Sequence, residues 1–227
     1  MPAMDLTDVP ILSMLKGRMG YLTERQRVIA ENVANADTPG YMARDLKPSD
    51  IQPWAEAIYQ QRVLDLGKDA PRSLCLPDPF PYYHMVDVAR FVQIPGLIVV
   101  LYQGSTNMVH RTIFTDGREL PKDPNPSWLG YSVGKWEGDT LVVDSIGFND
   151  KTWLDQMGYP HSESLHVTER FHRKDLGHME IQITIDDPKM YTKPWTISED
   201  PHLLADTELL EFICNENNRD LPHIISK

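Results

Sequence analysis

The sequence predicts a mainly β protein: an antiparallel meander that closes into a lipocalin-like β-barrel, with an open sheet covered by helix as the alternative. An amino-terminal amphipathic helical segment precedes it. Three observations lead there. Hydrophobicity alternates with period two through most of residues 85–214. Turn-forming stretches separate the alternating runs, as in "TDGRE", "WEGDT", "RKDLGH" and "DDPKM". Before residue 50 the period is instead that of a heptad.

The heptad comes first along the chain. Leu12, Leu15, Met19, Leu22, Ile29 and Val33 recur in alternating steps of three and four, with Gln26 in the vacant slot. So narrow a stripe suits helix-to-helix contact better than a globular core, which makes residues 12–33 a candidate self-association face. Thr23 and Gln26 offer a capping box after Gly17 and Gly20, and Pro39–Gly40 stops the helix.

A second helix is predicted over residues 53–66. Pro53 suits its first position, Trp54, Ile58 and Leu64 or Leu66 form its apolar side, and Gly67 ends it. The proline-rich "APRSLCLPDPFPYY" then wraps the next domain. About nine strands follow, near 85–93, 97–103, 108–115, 130–136, 139–146, 164–173, 178–185, 194–199 and 207–214. Closing such a meander removes its exposed edges. The predicted division is 1–50 helical segment, 51–84 helix and wrapping segment, and 85–227 β-barrel.

Bulk properties exclude some functions. A net charge of −11 over 227 residues argues against nucleic acid or an anionic membrane surface as partner. No apolar run approaches the ~20 residues of a membrane span, the longest being the strand-sized "GLIVVLY". The amino terminus lacks a Sec signal pattern. Cys75 and Cys214 flank the β-region, as two buried thiols or as one disulfide.

The run from Met4 to Leu46, with "NVANADTPGY" near its end, resembles the amino terminus of the bacterial flagellar proximal rod protein. The likeness covers roughly residues 4–48. In that family the amino-terminal helix pairs with a carboxy-terminal helix in the rod's inner layer. Here the last residues, "LLEFICNENNRDLPHIISK", read as a strand and a polar tail, so the expectation is a fused, truncated or mis-joined rod fragment. Residues 51–220 resemble a different group, an uncharacterised β-rich family of soil bacteria that is mostly exported. The carrying stretches are "FTDGRELPKDPNPSWLGYSVGKWEGDTLVVDSIGFNDKTWLD" and "PHSESLHVTERFHRKDLGHMEIQITIDDPKMYTKPWT". That second resemblance implies a bacterial protein that is periplasmic or secreted.

Candidate chemistry lies in three places. On strand six, Leu165, Val167, Glu169 and Phe171 alternate with His166, Thr168, Arg170 and His172, which puts a glutamate on the apolar face. On strand three, Arg111 likewise sits between Val109 and Ile113. Glu169 and Arg111 are therefore expected to meet inside, as an architectural ion pair or as a functional carboxylate at the floor of a pocket. The loop "GFNDKTWLDQMGYPHSES" gathers Asn149, Asp150, Trp153, Asp155 and His161, either as a lid with an Asp155–His161 base dyad or as a self-folded loop plugged by Trp153. Ser162 and Ser164 lack the GxSxG setting of a hydrolase nucleophile. His161, His166 and His172 are weak metal candidates, since their spacing matches no common ligand pattern. Arg118, with Asp116, is a ligand-contact candidate or more simply part of a hairpin turn, and His166 is a further ligand-contact candidate.

These features predict a β-barrel that binds or transforms a small organic ligand without a cofactor, carbohydrate-derived molecules being among the candidates. The alternatives are a structural part of the flagellar rod and a metal-dependent enzyme.

Overall fold

The computed structural model describes residues 51–65, 68–77, 80–81, 88–103, 108–155, 157–211 and 213. The heptad segment, the self-association face at 12–33 and Cys214 lie outside the described residues.

Among the described residues one α-helix, α1 (Pro53–Leu64), and a 3-10 turn at Pro71–Leu74 precede eight strands. These are β1 (Val88–Ile94), β2 (Leu97–Gln103), β3 (Met108–Phe114), β4 (Tyr131–Glu137), β5 (Thr140–Ile146), β6 (His166–Arg173), β7 (Met179–Asp186) and β8 (Trp195–Glu199). They form a single sheet in the order β1 to β8, curled into a half-barrel. The meander is as predicted, and it stops short of full closure: β1 pairs only with β2, and β8 only with β7, among the described pairings.

Turn chemistry sets the registers. Ile94 pairs with Leu97 across Pro95–Gly96, where Gly96 adopts φ +77°. Proline followed by a left-handed glycine is the combination that a type II turn demands. The other tight hairpin joins Glu137 to Thr140 through Gly138 at φ +66°.

Two details differ from the prediction. The largely antiparallel sheet has one exception, because β3 and β4 run parallel over Ile113↔Ser132 and Phe114↔Val133. The connection 115–130 holds Pro121, Pro124 and Pro126 and crosses over instead of turning back, as parallel pairing requires. The ninth strand does not form over residues 207–211. That stretch has no regular structure, although the Leu210 amide donates to the Gln103 side chain at 2.7 Å.

The concave face is the core. Ile98, Val100, Tyr102, Ile113, Leu141, Val143, Val167, Phe171, Ile181, Ile183 and Ile185 all join one buried cluster. Their spacing of two within each strand is the alternation read from the sequence. Helix α1 joins this cluster at a different face from the predicted one. Ala55 is buried in it, whereas Trp54 and Leu64 are exposed. Tyr59, one turn on from Ala55, stacks on Tyr159 at 4.5 Å, so the helix docks through small and aromatic groups. The wrapping role of the proline-rich stretch is carried by Phe80, which is buried and stacks on Phe148 at 5.2 Å.

Candidate functional site

Four polar side chains form a row across the otherwise apolar concave face, one from each of β3, β4, β5 and β6. They are Arg111, Ser132, Ser145 and Glu169, and none is more than 2% exposed. Ser132 and Ser145 are register partners. Neighbouring strands lie about 4.8 Å apart, so β3 and β6 would be roughly 14 Å apart in a flat sheet. Curvature shortens that span on the concave side, and the two short serines leave room for the arginine to lie across them.

The guanidinium is held at every edge. Arg111 Nη1 donates to Glu169 Oε1 at 2.9 Å, and Nη2 donates to Glu169 Oε2, completing a bidentate pair. Nε donates to Ser132 Oγ at 2.9 Å and Nη2 also to Ser145 Oγ at 2.7 Å. The two serine hydroxyls are themselves 2.9 Å apart and hydrogen-bonded. Phe80 covers the guanidinium face, its ring centroid 4.6 Å from the central carbon. Burial, the largest single influence, lowers the arginine pKa, but the Glu169 charge together with Tyr102 and the hydrogen bonds to both outweighs it, and the net direction is upward. Tyr102 adjoins both partners, and burial raises its phenol well above the ordinary value.

Beside this row the sheet parts. Early β3 and the segment 127–131 run alongside one another before the short β3–β4 pairing begins, and a groove of about 470 Å³ opens between them. Val109, Phe114, Trp128 and Leu129 supply its apolar walls, and Arg111 and Ser132 reach its lining. A second cavity of about 550 Å³ lies between α1 and the loop 151–153, bordered by Arg62, Asp65, Lys151 and Trp153.

The loop residues take other places than a catalytic dyad would need. Asp155 Oδ1 accepts the amides of Met157, Gly158 and Tyr159 at 3.0–3.1 Å, which makes it the cap of its own turn. Burial nonetheless pushes its carboxyl up to about 6, against the pull of those three amides and of Arg62. His161 is buried and bonded elsewhere. Its Nε2 lies 2.7 Å from Thr152 Oγ1 and its Nδ1 3.3 Å from the Ser162 carbonyl, and burial lowers its pKa. The pairing that suits both contacts puts the proton on Nδ1, with Thr152 donating to Nε2. Trp153 is 6% exposed and lies under Arg62, whose guanidinium carbon is 4.8 Å from the ring centroid. It plugs the loop instead of offering a stacking face. Asn149 accepts the Lys151 amide at 3.1 Å, and Asp150 is exposed.

Of the remaining candidates, His166 and His172 sit on the convex face of β6 and Arg118 in the exposed connection 115–130. His166 Nε2 is 3.1 Å from Asp144 Oδ1, an oxygen that also accepts from Thr168 at 2.7 Å. His172 lies 3.4 Å from Asp139. Arg118 pairs with Asp116, lies over the Phe114 ring at 3.7 Å and reaches the Tyr131 hydroxyl at 3.1 Å. No group of three or more metal-ligating side chains occurs among the described residues. Sequence reasoning misses Ser132, Ser145, Thr152 and Asp187. Asp187 is a buried carboxylate that accepts both the amide and the hydroxyl of Ser162, at 2.6 and 2.9 Å. A signal exists for Ser145, because alternation puts it on the same face as Leu141 and Val143, whereas Ser132 lies between Gly130 and Gly134 on its face and has no such mark.

Over the described residues the architecture is thus a β half-barrel behind helix α1, in a chain whose amino-terminal sequence is of another kind. Residues 18–41 match the family described as flagella basal body rod protein. The chain is 43% identical over 53 residues to the flagellar basal body rod protein FlgB of Escherichia coli, and equally to that of Shigella flexneri. That span covers 23% of this chain and 33% of each relative, so the chain matches about a third of the length of those curated proteins. The resemblance of residues 51–220 to a β-rich exported family gains no support from these matches. No solved structure matches the chain. No helix among the described residues is long and apolar enough to cross a membrane.

Proposed function

We propose that the half-barrel binds a small organic molecule in the groove between early β3 and residues 127–131. The carrying observation is the groove itself: about 470 Å³, apolar walls that include Trp128 and Phe114, and a few fixed polar groups at its lining. That combination is typical of small-molecule sites. Glu169 is wholly buried and bidentate to Arg111, which favours an anchoring role over proton transfer and so favours binding over turnover. Cys75 is disulfide-bonded and Cys214 is the chain's only other cysteine, which supports a bacterial protein working in an oxidising compartment. Residues 1–50, 51–84 and 85–227 act in this reading as assembly segment, wrap and binding domain.

A thermal-shift screen of the full chain against neutral aromatics and simple sugars tests the binding role. At least one class should raise the melting temperature saturably, and Trp128→Ala should remove the response. No saturable response from any class would end this reading.

The rod-like segment favours a second role, in which residues 12–33 assemble with helices of other axial proteins or of further copies. Sedimentation of the full chain beside residues 51–227 tests it. Equal, monomeric behaviour of both, with no binding to rod proteins, would leave the segment without an assembly role.

A further inference from the structure

We propose that Ser132 offers its hydroxyl proton to the groove and makes it selective for uncharged ligands that carry an oxygen acceptor. This rests on the groove being a binding site and adds what it recognises.

The hydroxyl protons can be counted. Ser132 Oγ accepts from Arg111 Nε, and Ser145 Oγ accepts from Arg111 Nη2. One further hydrogen bond joins the two hydroxyls, and it uses only one of their two protons. If Ser132 donated, the Ser145 proton would be stranded at a site with 0% exposure and with no other acceptor bonded to it among the described residues. If Ser145 donates, the proton left over belongs to Ser132, which at 1% exposure is nearly as buried but, unlike Ser145, lines the groove. An unmade hydrogen bond in the core costs far more than one that water or a ligand can complete, so the second arrangement prevails. The Arg111 guanidinium polarises the Ser132 oxygen through Nε and strengthens it as a donor.

The same geometry sets the charge preference. Among the described residues, Arg111 is the one permanently charged side chain that lines the groove, and Glu169 neutralises it through both carboxylate oxygens. An anion entering the groove would leave water without meeting an uncompensated cation, and a cation would meet no carboxylate at the described lining. The acceptor that fits is a carbonyl, ether or hydroxyl oxygen on an apolar body that packs against Val109, Phe114 and Trp128.

The test uses the full chain at pH 8 with three probes of similar size: acetophenone, ethylbenzene and benzoate. Wild-type protein should bind acetophenone more tightly than benzoate, and the carbonyl stretch of bound acetophenone should move to lower wavenumber than in hexane. In Ser132→Ala the acetophenone-to-ethylbenzene affinity ratio should fall about 5–10-fold, the worth of one net hydrogen bond. Ser145→Ala also removes one contact to Arg111 but leaves the Ser132 proton in place, so it should keep the wild-type ratio. An unshifted carbonyl, an unchanged ratio in Ser132→Ala or tighter binding of benzoate overturns the serine donor while leaving the groove reading intact. Saturable binding of none of the three overturns both. The infrared and benzoate measurements need only wild-type protein and stand even if Ser132→Ala does not fold.

Discussion

Arg111 and Glu169 meet in a bidentate ion pair although two whole strands separate them in the sheet. The guanidinium crosses β4 and β5 above Ser132 and Ser145, both of which it bonds, and Phe80 closes it from the other side. The pair therefore fixes the curvature of four strands together, more than the register of any two. Because both partners are buried, removing one leaves the other as an uncompensated buried charge.

Glu169→Gln should accordingly destabilise the fold by roughly 3–5 kcal/mol. Urea unfolding monitored by circular dichroism is the measurement. Replacing both partners, as Arg111→Met with Glu169→Leu, should recover most of that loss, since the desolvation of two charges disappears with them. A double variant as unstable as the sum of the single ones would mean that the pair is worth more than its burial costs. A stable Glu169→Gln that no longer responds to ligand would instead make the carboxylate a functional group.

Asp155 predicts a pH dependence with a definite sign. Its carboxyl is raised by burial to about 6 from an ordinary value of 3.8, so the folded state holds the proton more tightly than the unfolded chain does. The associated stability is complete below the ordinary value, declines as pH rises from there and is gone above about 6. Asp155→Asn keeps an acceptor for the three turn amides but cannot ionise. Wild type should therefore lose stability relative to Asp155→Asn as pH rises from about 4 to about 6, by about 2–3 kcal/mol in all. Unfolding curves for both proteins across that range give the answer. Parallel profiles would place the Asp155 pKa near its ordinary value.

The Cys75 disulfide predicts that no thiol titrates in the denatured, unreduced protein and that two titrate after reduction. In the chain-entropy view, closing so long a loop stabilises by ~3–5 kcal/mol. Cys75→Ser should lower the melting temperature, and added reductant should then have no further effect. Two reactive thiols in the purified, oxidised protein would refute the bridge.

Ile51, the first described residue, is buried and bridges to Tyr191. Deleting residues 1–50 should leave the cooperative melt of the remainder nearly unchanged. Calorimetry of residues 51–227 beside the full chain checks this. A fragment that fails to fold would show that the heptad segment completes the core.

Sequence alone determined the strand faces, because side-chain direction alternates strictly and depends only on the strand being there. Val109, Arg111 and Ile113 sort this way, as do Val167, Glu169 and Phe171, and both charged residues fall inward. Turn positions are equally legible, since Pro95–Gly96 and Gly138 state their backbone geometry locally. The rod-like segment is readable because "NVANADTPGY" is a specific string that needs no fold to be noticed.

Tertiary structure decided what depends on distance. Asp155 and His161 are close in sequence and suggest a dyad, yet backbone amides claim one and Thr152 the other, because burial gives each polar atom to its nearest partner. The parallel β3–β4 pairing hinges on how the connection 115–130 crosses, and no local pattern encodes a crossover. Curvature is the same kind of property. It arises from the summed twist of eight strands, and it alone brings Arg111 over the serines to Glu169 and opens the groove where β3 and β4 part.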